Sequence, residues 1–88
     1  MENQLHAHFF LEEKFMGPHE NKLRDVRVLR RMSQMALMLS TGINATKISW
    51  IERGYIKAKH GEKLKLARAL GVRTQDIFPE ANEVRNEH

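Results

Sequence analysis

The chain has 88 residues, a formal net charge of +4 at pH 7 and no cysteine. This length predicts a single small domain whose modest core would gain stability from dimerisation. The lack of cysteine excludes disulfides, thiolate metal sites and cysteine nucleophiles, and it fits a reducing cytoplasm. No apolar run approaches the roughly 20 residues of a membrane span and the acidic start is unlike a signal peptide, so we expect a cytoplasmic protein without membrane contact.

The N-terminal residues 1–20 are predicted to form an arm separate from the domain. Within it, residues 4–15 carry apolar side chains at helical spacing, which predicts a partly helical segment. Gly17 and Pro18 end that pattern, because proline disfavours helix at the residue before it and lacks an N–H donor. The arm has two interpretations: an extension with a binding role, or a leader without such a role.

A first domain helix is predicted from Asn21 to Met32. Its apolar stripe would consist of Leu23, Val26 and either Leu29 or Arg30, with the remaining arginines outside the stripe.

Residues 33–54, with the sequence SQMALMLSTGINATKISWIERG, predict two short helices joined by a tight turn. Ser33 and Asn44 can each cap a helix, and Gly42 can adopt the positive φ that a sharp reversal requires. The helices are expected at 34–41 and 45–53, with Gly54 ending the second. Apolar residues on both sides of the turn predict a shared buried seam; they are Leu37, Ile43, Ile48 and Ile51.

Two more helices are predicted after a loop that exposes Lys57 and Lys59. The fourth helix should span residues 62–70, stop at Gly71, and turn Leu64, Leu66, Ala67 and Leu70 inward. Thr74 is expected to cap a short fifth helix at 75–78, which Pro79 ends. Residues 80–88 form a polar tail, and the fold class predicted by this pattern is all-α.

Charge is unevenly distributed along the chain. Residues 21–79 contain thirteen Lys and Arg against four Asp and Glu, which gives +9, whereas residues 1–20 and 80–88 carry −3 and −2. A basic central domain indicates a polyanionic partner such as nucleic acid. A solvated basic surface without a partner would give the same pattern.

A series of residues between 21 and 79 also follows, in order and spacing, the pattern of a known family. On these residues the chain resembles the Cro/repressor-type (Xre-like) helix-turn-helix family of DNA-binding proteins. The resemblance implies a compact five-helix, repressor-like helix-turn-helix domain at 21–79, preceded by the arm. If the arm has a binding role, it would contact DNA or a second subunit. The matching residues are Leu23, Val26, Arg27, Ser33, Gln34, Leu37, Thr41, Gly42, Ile43, Ile48, Ser49, Ile51, Glu52, Arg53, Gly54, Leu66, Ala67, Ala69, Leu70, Gly71 and Val72.

The resemblance further implies roles for single residues. Arg27 and Glu52 are expected to form a partly buried ion pair with a structural role. The dimer interface is expected around Ile77 and Phe78. The residues that would read base edges are Asn44, Ala45, Thr46, Lys47 and Trp50, and those that would contact phosphate are Gln34, Arg53 and Lys57.

Three residues depart from the pattern of the family. Trp50 stands where polar residues are commoner, and its indole could either face DNA or fold back onto the core. Met38 stands where a small residue is usual, and its flexible side chain can be accommodated there. Arg31 stands where glycine is common, and it is expected to add a cation and to lengthen the first helix.

The function expected from this reading is a sequence-specific, double-stranded DNA-binding regulator. It would be a repressor, phage-repressor-like or antitoxin-like, that binds a palindromic operator as a homodimer, with a toxin or other regulator as a further protein partner. No histidine spacing suits a metal and no Ser-His-Asp arrangement stands out, so we expect no cofactor, no small-molecule substrate and no enzyme activity. The alternative is a protein-interaction module whose partner surface comprises Trp50, Ala45 and the methionines at 32, 35 and 38.

Overall fold

The computed structural model describes residues 18–79, and this part of the chain consists of helices and connecting turns without a strand. The all-α prediction is therefore confirmed. The interpretations of the arm before Pro18 and of the tail from residue 80 onward concern segments outside the described residues. The helices are α1 (Leu23–Leu29), α2 (Gln34–Thr41), α3 (Ala45–Glu52), α4 (His60–Leu70) and α5 (Thr74–Ile77).

One apolar core joins the five helices. Within the described part, α3 packs against α2 and α1, α2 also packs against α4, and α4 packs against α5. The predicted seam around the α2–α3 turn is confirmed, since all four of its residues are buried. The core consists of Leu23, Leu37, Ile43, Ile48, Ile51, Ala58, Leu66, Ala67, Leu70, Ile77 and Phe78.

Helix α1 is shorter than the sequence predicted. It ends at Leu29, whose side chain is 79% exposed and so does not belong to the core stripe. Arg31 does not extend the helix, because its φ of 58° places it in the left-handed region. The backbone N–H of Arg31 donates to the Val28 carbonyl and that of Met32 to the Arg27 carbonyl, which are the two hydrogen bonds of a Schellman helix end.

Helix α4 begins two residues earlier than predicted, and three of the four residues expected to turn inward are buried: Leu66, Ala67 and Leu70. Leu64 is exposed, whereas Lys63 is buried with its ammonium group 5.5 Å from the centre of the Phe78 ring. The long alkyl stem of lysine can cover apolar surface while the charge lies over an aromatic face. The prediction that Leu64 points inward was therefore wrong.

Helix α5 corrects one expectation and bears on another. Its N-cap is Arg73, whose backbone N–H donates to the Asp76 carboxylate at 2.9 Å, so Thr74 is the first helical residue and not the cap. Ile77 and Phe78 are 0% and 3% exposed, respectively. Both side chains fill the core of their own chain. The dimer interface expected around them stays a prediction, and its contacts would come from exposed residues of that region.

None of the five described helices combines the length and the apolar character that crossing a membrane requires.

Candidate nucleic-acid interface

The α2–turn–α3 unit is built by local capping interactions. The Ser33 hydroxyl accepts a hydrogen bond from the Ala36 N–H at 2.9 Å, and the Asn44 side chain accepts one from the Thr46 N–H at 2.8 Å. Between the helices, Gly42 has a φ of 81°. These three predictions are confirmed, and the bounds of α2 are those expected. The turn is therefore fixed by residues close to one another in the sequence.

Thr41, one of the residues that match the family pattern, also has a role in the turn that was not predicted. Its buried hydroxyl donates to the Leu37 carbonyl at 2.7 Å and accepts from the Ile43 N–H at 3.1 Å. One side chain thus bonds the carbonyl four residues before it, within α2, and also satisfies an N–H in the turn. A threonine directly before the turn glycine was the available signal.

The ion pair that the resemblance implies between Arg27 and Glu52 is present in the structure. The Glu52 side chain is 3% exposed and accepts from Arg27 Nε at 2.5 Å and from Nη2 at 3.2 Å. Arg27 Nη1 also donates to the Met32 carbonyl at 2.8 Å. Gln34 Nε2 donates to Glu52 Oε1 at 3.0 Å, so this amide, expected on phosphate, is engaged inside the protein. The carboxylate therefore links α1, α2 and α3.

The face of α3 opposite the core carries a hydroxyl, an indole and a guanidinium group. Thr46, Trp50 and Arg53 lie at helical spacing and are exposed, and the Trp50 side chain is 46% exposed. Of the two interpretations of Trp50, the structure therefore agrees with the exposed one. Arg53 Nη1 lies 3.2 Å from Ser49 Oγ, to which it donates. We call the exposed surface formed by Thr46, Trp50 and Arg53 the α3 face. Ala45 is half-buried beside it.

Lys47 differs from the other expected base-reading residues because its ammonium group has an acidic partner. Lys47 Nζ donates to Glu62 Oε2 at 2.6 Å, while Glu62 Oε1 accepts from the Lys59 N–H at 2.8 Å. Partial burial acts to raise the pKa of Glu62, but the hydrogen bonds from Lys47 and Lys59 outweigh it and the pKa is lowered. The pair is not predictable from local sequence, because its members are fifteen positions apart and lie on different helices.

The described acidic residues are largely neutralised by neighbours. Glu52 pairs with Arg27, Glu62 with Lys47, and Asp76 with Arg73. The backbone N–H and the side chain of Arg73 lower the pKa of Asp76. Because most carboxylates of residues 21–79 have a cationic partner, the remaining excess of Lys and Arg gives the domain a positive surface. Lys57 is exposed in the loop after α3.

The methionines at 32, 35 and 38 do not share one face. Met32 and Met38 pack against the core, so Met38 is accommodated between the helices, while Met35 is exposed. Leu39, one turn after Met35, is 77% exposed. The apolar surface of α2 therefore consists of Met35 and Leu39 and not of the whole methionine series.

Among residues 18–79, no group of three or more His, Asp and Glu side chains could hold a metal ion. No family model matches the chain, and no curated protein matches its sequence. The function is therefore inferred from the residues and their geometry.

Proposed function

We propose that this protein is a sequence-specific, double-stranded DNA-binding regulator that places α3 in the major groove. The observation that carries the proposal is the α3 face. Thr46 and Trp50 are held outward on α3, and Arg53 directly follows it. The other side of the helix is fixed by the core and by the buried Glu52 carboxylate. A base-reading helix needs a rigid seat and an exposed face, and α3 has both.

The dimensions and chemistry of α3 suit the groove. An α-helix with its side chains is about 10–12 Å in diameter, and the major groove is about 12 Å wide and admits one helix. The Thr46 hydroxyl can donate to or accept from a base edge, and its methyl group can contact the methyl group of thymine. Trp50 offers an apolar plane to thymine methyls or sugars. Asn44 and Ala45 lie at the entry turn, where a short polar side chain and a small apolar one would meet the base edges.

Phosphate contacts would come from residues on both sides of α3. Arg53 and Lys57 are exposed at its C-terminal end and in the following loop. Gln34 is at the start of α2, where the backbone N–H groups and the positive end of the helix favour an anion even though its amide is bound to Glu52. The net charge of +9 for residues 21–79 supports attraction of the protein to DNA.

We further propose that the regulator is a repressor that binds a roughly palindromic operator as a homodimer. A dimer would place two α3 helices about 34 Å apart, with half-site centres about 10 bp apart. Since Ile77 and Phe78 are buried within the chain, the dimer contact would use exposed residues. The chain resembles the Cro/repressor-type family in the order and spacing of the residues named above, which supports the same function. An antitoxin that represses its own operon and a phage-type repressor are both variants of this proposal.

A protein-interaction module is the second candidate, and exposed apolar side chains favour it. Trp50 on α3 and Met35 and Leu39 on α2 are all exposed. An apolar partner interface would depend weakly on salt. DNA binding through phosphates would weaken steeply, with a log–log slope of about −0.9 for each phosphate contact.

The test of the function is selection of bound sequences from a random duplex pool with the full chain, at low and at physiological salt. The proposal expects an inverted repeat that is recovered at both salt concentrations. If no motif is recovered and binding is lost at physiological salt, the protein binds DNA only through nonspecific attraction to its basic surface, and sequence-specific binding is contradicted. Binding of no duplex at either salt would overturn the proposal.

Single variants then separate base reading from phosphate contact. Thr46→Ala and Trp50→Ala should each reduce the preference for the selected site over random duplex, by about 1–3 kcal/mol for a lost base contact. Arg53→Ala should weaken binding to both duplexes alike and reduce the salt slope by about one contact. The matched control is Arg68→Ala, because Arg68 is an exposed arginine of α4 outside the α3 face. Equal losses from all four variants would contradict the assigned roles.

A further inference from the structure

Lys47 is the one expected base-reading residue whose cation is paired with a carboxylate of another helix. The side chains of Lys47 and Glu62 are 35% and 18% exposed, and their charged atoms are 2.6 Å apart. The pair therefore lies at the edge of the α3 face, neither buried in the core nor fully in solvent.

Glu62 is held in place independently of Lys47. It is the third residue of α4, and its second carboxylate oxygen accepts the N–H of Lys59 at the start of that helix. This is half of a capping box, in which a glutamate near the helix start bonds back to the residue before the helix. The lowered pKa of Glu62 means that the carboxylate stays ionised near neutral pH. Lys47 is thus held next to a fixed negative charge.

This arrangement treats phosphates and base edges differently. An ammonium group has three N–H donors, and Glu62 takes one of them in the free protein. A neutral base acceptor such as guanine O6 or N7 can use another donor while the pair stays intact. A phosphate would meet a cation whose charge is already compensated, and it would be repelled by the nearby carboxylate.

We propose that Glu62 is a specificity-determining positioning residue: it withholds Lys47 from DNA phosphates and keeps its ammonium group available to base edges. The inference rests on the proposed function, which it deepens. Glu62 lowers the affinity of the protein for random duplex, so that sites which offer a base acceptor to Lys47 are favoured relative to all others.

The test compares wild type, Glu62→Gln, Lys47→Met and the double variant in binding to the selected site and to random duplex, over a series of salt concentrations. Glutamine can replace glutamate in a capping box, so the helix start is preserved while the charge is removed. Asp76→Asn is the matched control. Asp76 is the third residue of α5, accepts the N–H of Arg73 and pairs with the side chain of the same arginine. Its replacement by asparagine removes one negative charge, as Glu62→Gln does, but at a site away from Lys47.

Glu62→Gln should tighten binding to random duplex and steepen its salt slope by about 0.9, the value of one additional phosphate contact. That corresponds to about threefold more affinity lost between about 50 and 200 mM salt. The effect should vanish in the double variant, and Lys47→Met alone should leave the random-duplex slope unchanged. The ratio of specific to random affinity should fall in Glu62→Gln.

Two results separate failure of the inference from failure of the function. If wild type binds no duplex, the proposed function fails. If wild type binds its site but Glu62→Gln behaves like Asp76→Asn, or keeps its effect when Lys47 is absent, the role of Glu62 is overturned. If circular dichroism shows that Glu62→Gln folds poorly, Lys47→Met alone tests the role of Glu62. A random-duplex salt slope reduced by about one contact would show that Lys47 already contacts phosphate in the wild type, and this would overturn the inference.

Discussion

The two turns that flank α2 reverse the chain in similar ways but are stabilised differently. Each has a residue in the left-handed conformation: Arg31 before α2, with a φ of 58°, and Gly42 after it, with a φ of 81°. Glycine adopts this conformation without steric cost, whereas an L side chain costs roughly 1–2 kcal/mol. The first turn therefore contains strain that the second does not.

The sources of stabilisation also differ. The second turn depends on near neighbours, chiefly the Thr41 hydroxyl and the Asn44 cap. The first turn depends on Arg27, which bonds the Met32 carbonyl with one guanidinium nitrogen and Glu52 of α3 with the other two. A strained turn can persist when the surrounding structure holds it, and here a long-range ion pair does so. Substitutions in the two turns should therefore have different effects.

The largest effect is expected from Arg27→Met, which removes the support of the first turn. It leaves the buried Glu52 carboxylate without its cation, and such a loss costs about 3–5 kcal/mol in the free energy of unfolding. Chemical denaturation followed by circular dichroism measures this loss. The double variant Arg27→Met, Glu52→Met should recover part of the lost stability, because it removes the buried carboxylate together with its cation.

Arg24→Met is the control for that experiment, because Arg24 is an exposed arginine of the same helix. It should change the free energy of unfolding by less than about 0.5 kcal/mol. Equal losses from the two arginines would mean that the ion pair does not stabilise the first turn.

A smaller effect is expected from Gly42→Ala in the second turn. No atom lies within 4 Å of the added Cβ, so the cost arises from the left-handed backbone alone and should be about 1 kcal/mol. Gly61→Ala adds the same methyl group within α4, also into open space, and should stabilise by about 0.5–1 kcal/mol. Thermal unfolding of both variants would show opposite signs, and a shift in the same direction would contradict this explanation.

The smallest effect is expected from Arg31→Gly, which should make the first turn more like the second. Relief of the left-handed strain is partly offset by the greater freedom of glycine in the unfolded chain, which leaves a gain of about 0.5–1 kcal/mol. Arg30→Gly is the matched control, since Arg30 has a φ of −86° and gains nothing from glycine there. A destabilised Arg31→Gly variant in denaturant titration would indicate that the arginine side chain itself supports the turn.

The same contrast explains how much of the fold the sequence could predict. The α2–turn–α3 unit was predicted with the bounds of α2 exact and α3 one residue shorter, because its caps act between residues at most four apart. The end of α1 was missed because arginine is an uncommon residue for a left-handed helix end. On α4 the inward positions of Leu66, Ala67 and Leu70 were predicted, but the exposure of Leu64 was missed, because the pattern of apolar residues favoured this leucine over the adjacent lysine at position 63 as a buried residue.

The exposure of residues in the candidate site was predictable where it follows from helical spacing. The hydrogen-bond partners of these residues were not predictable where they lie on another helix. The outward position of Trp50 was one of two alternatives that the spacing allowed. The partners of Lys47 and Gln34 lie on other helices, and nothing in the local sequence identifies them. Burial of Ile77 and Phe78 followed from how α5 packs on α4, which the sequence pattern does not specify.

Trp50 is the single tryptophan of the chain, and its half-exposed position has a spectroscopic consequence. An indole in contact with water in the native state should change its emission wavelength little when the protein unfolds. The intrinsic fluorescence of this protein is therefore a weak monitor of denaturation. It should instead respond to whatever molecule covers α3, since a bound surface would displace the water around the ring.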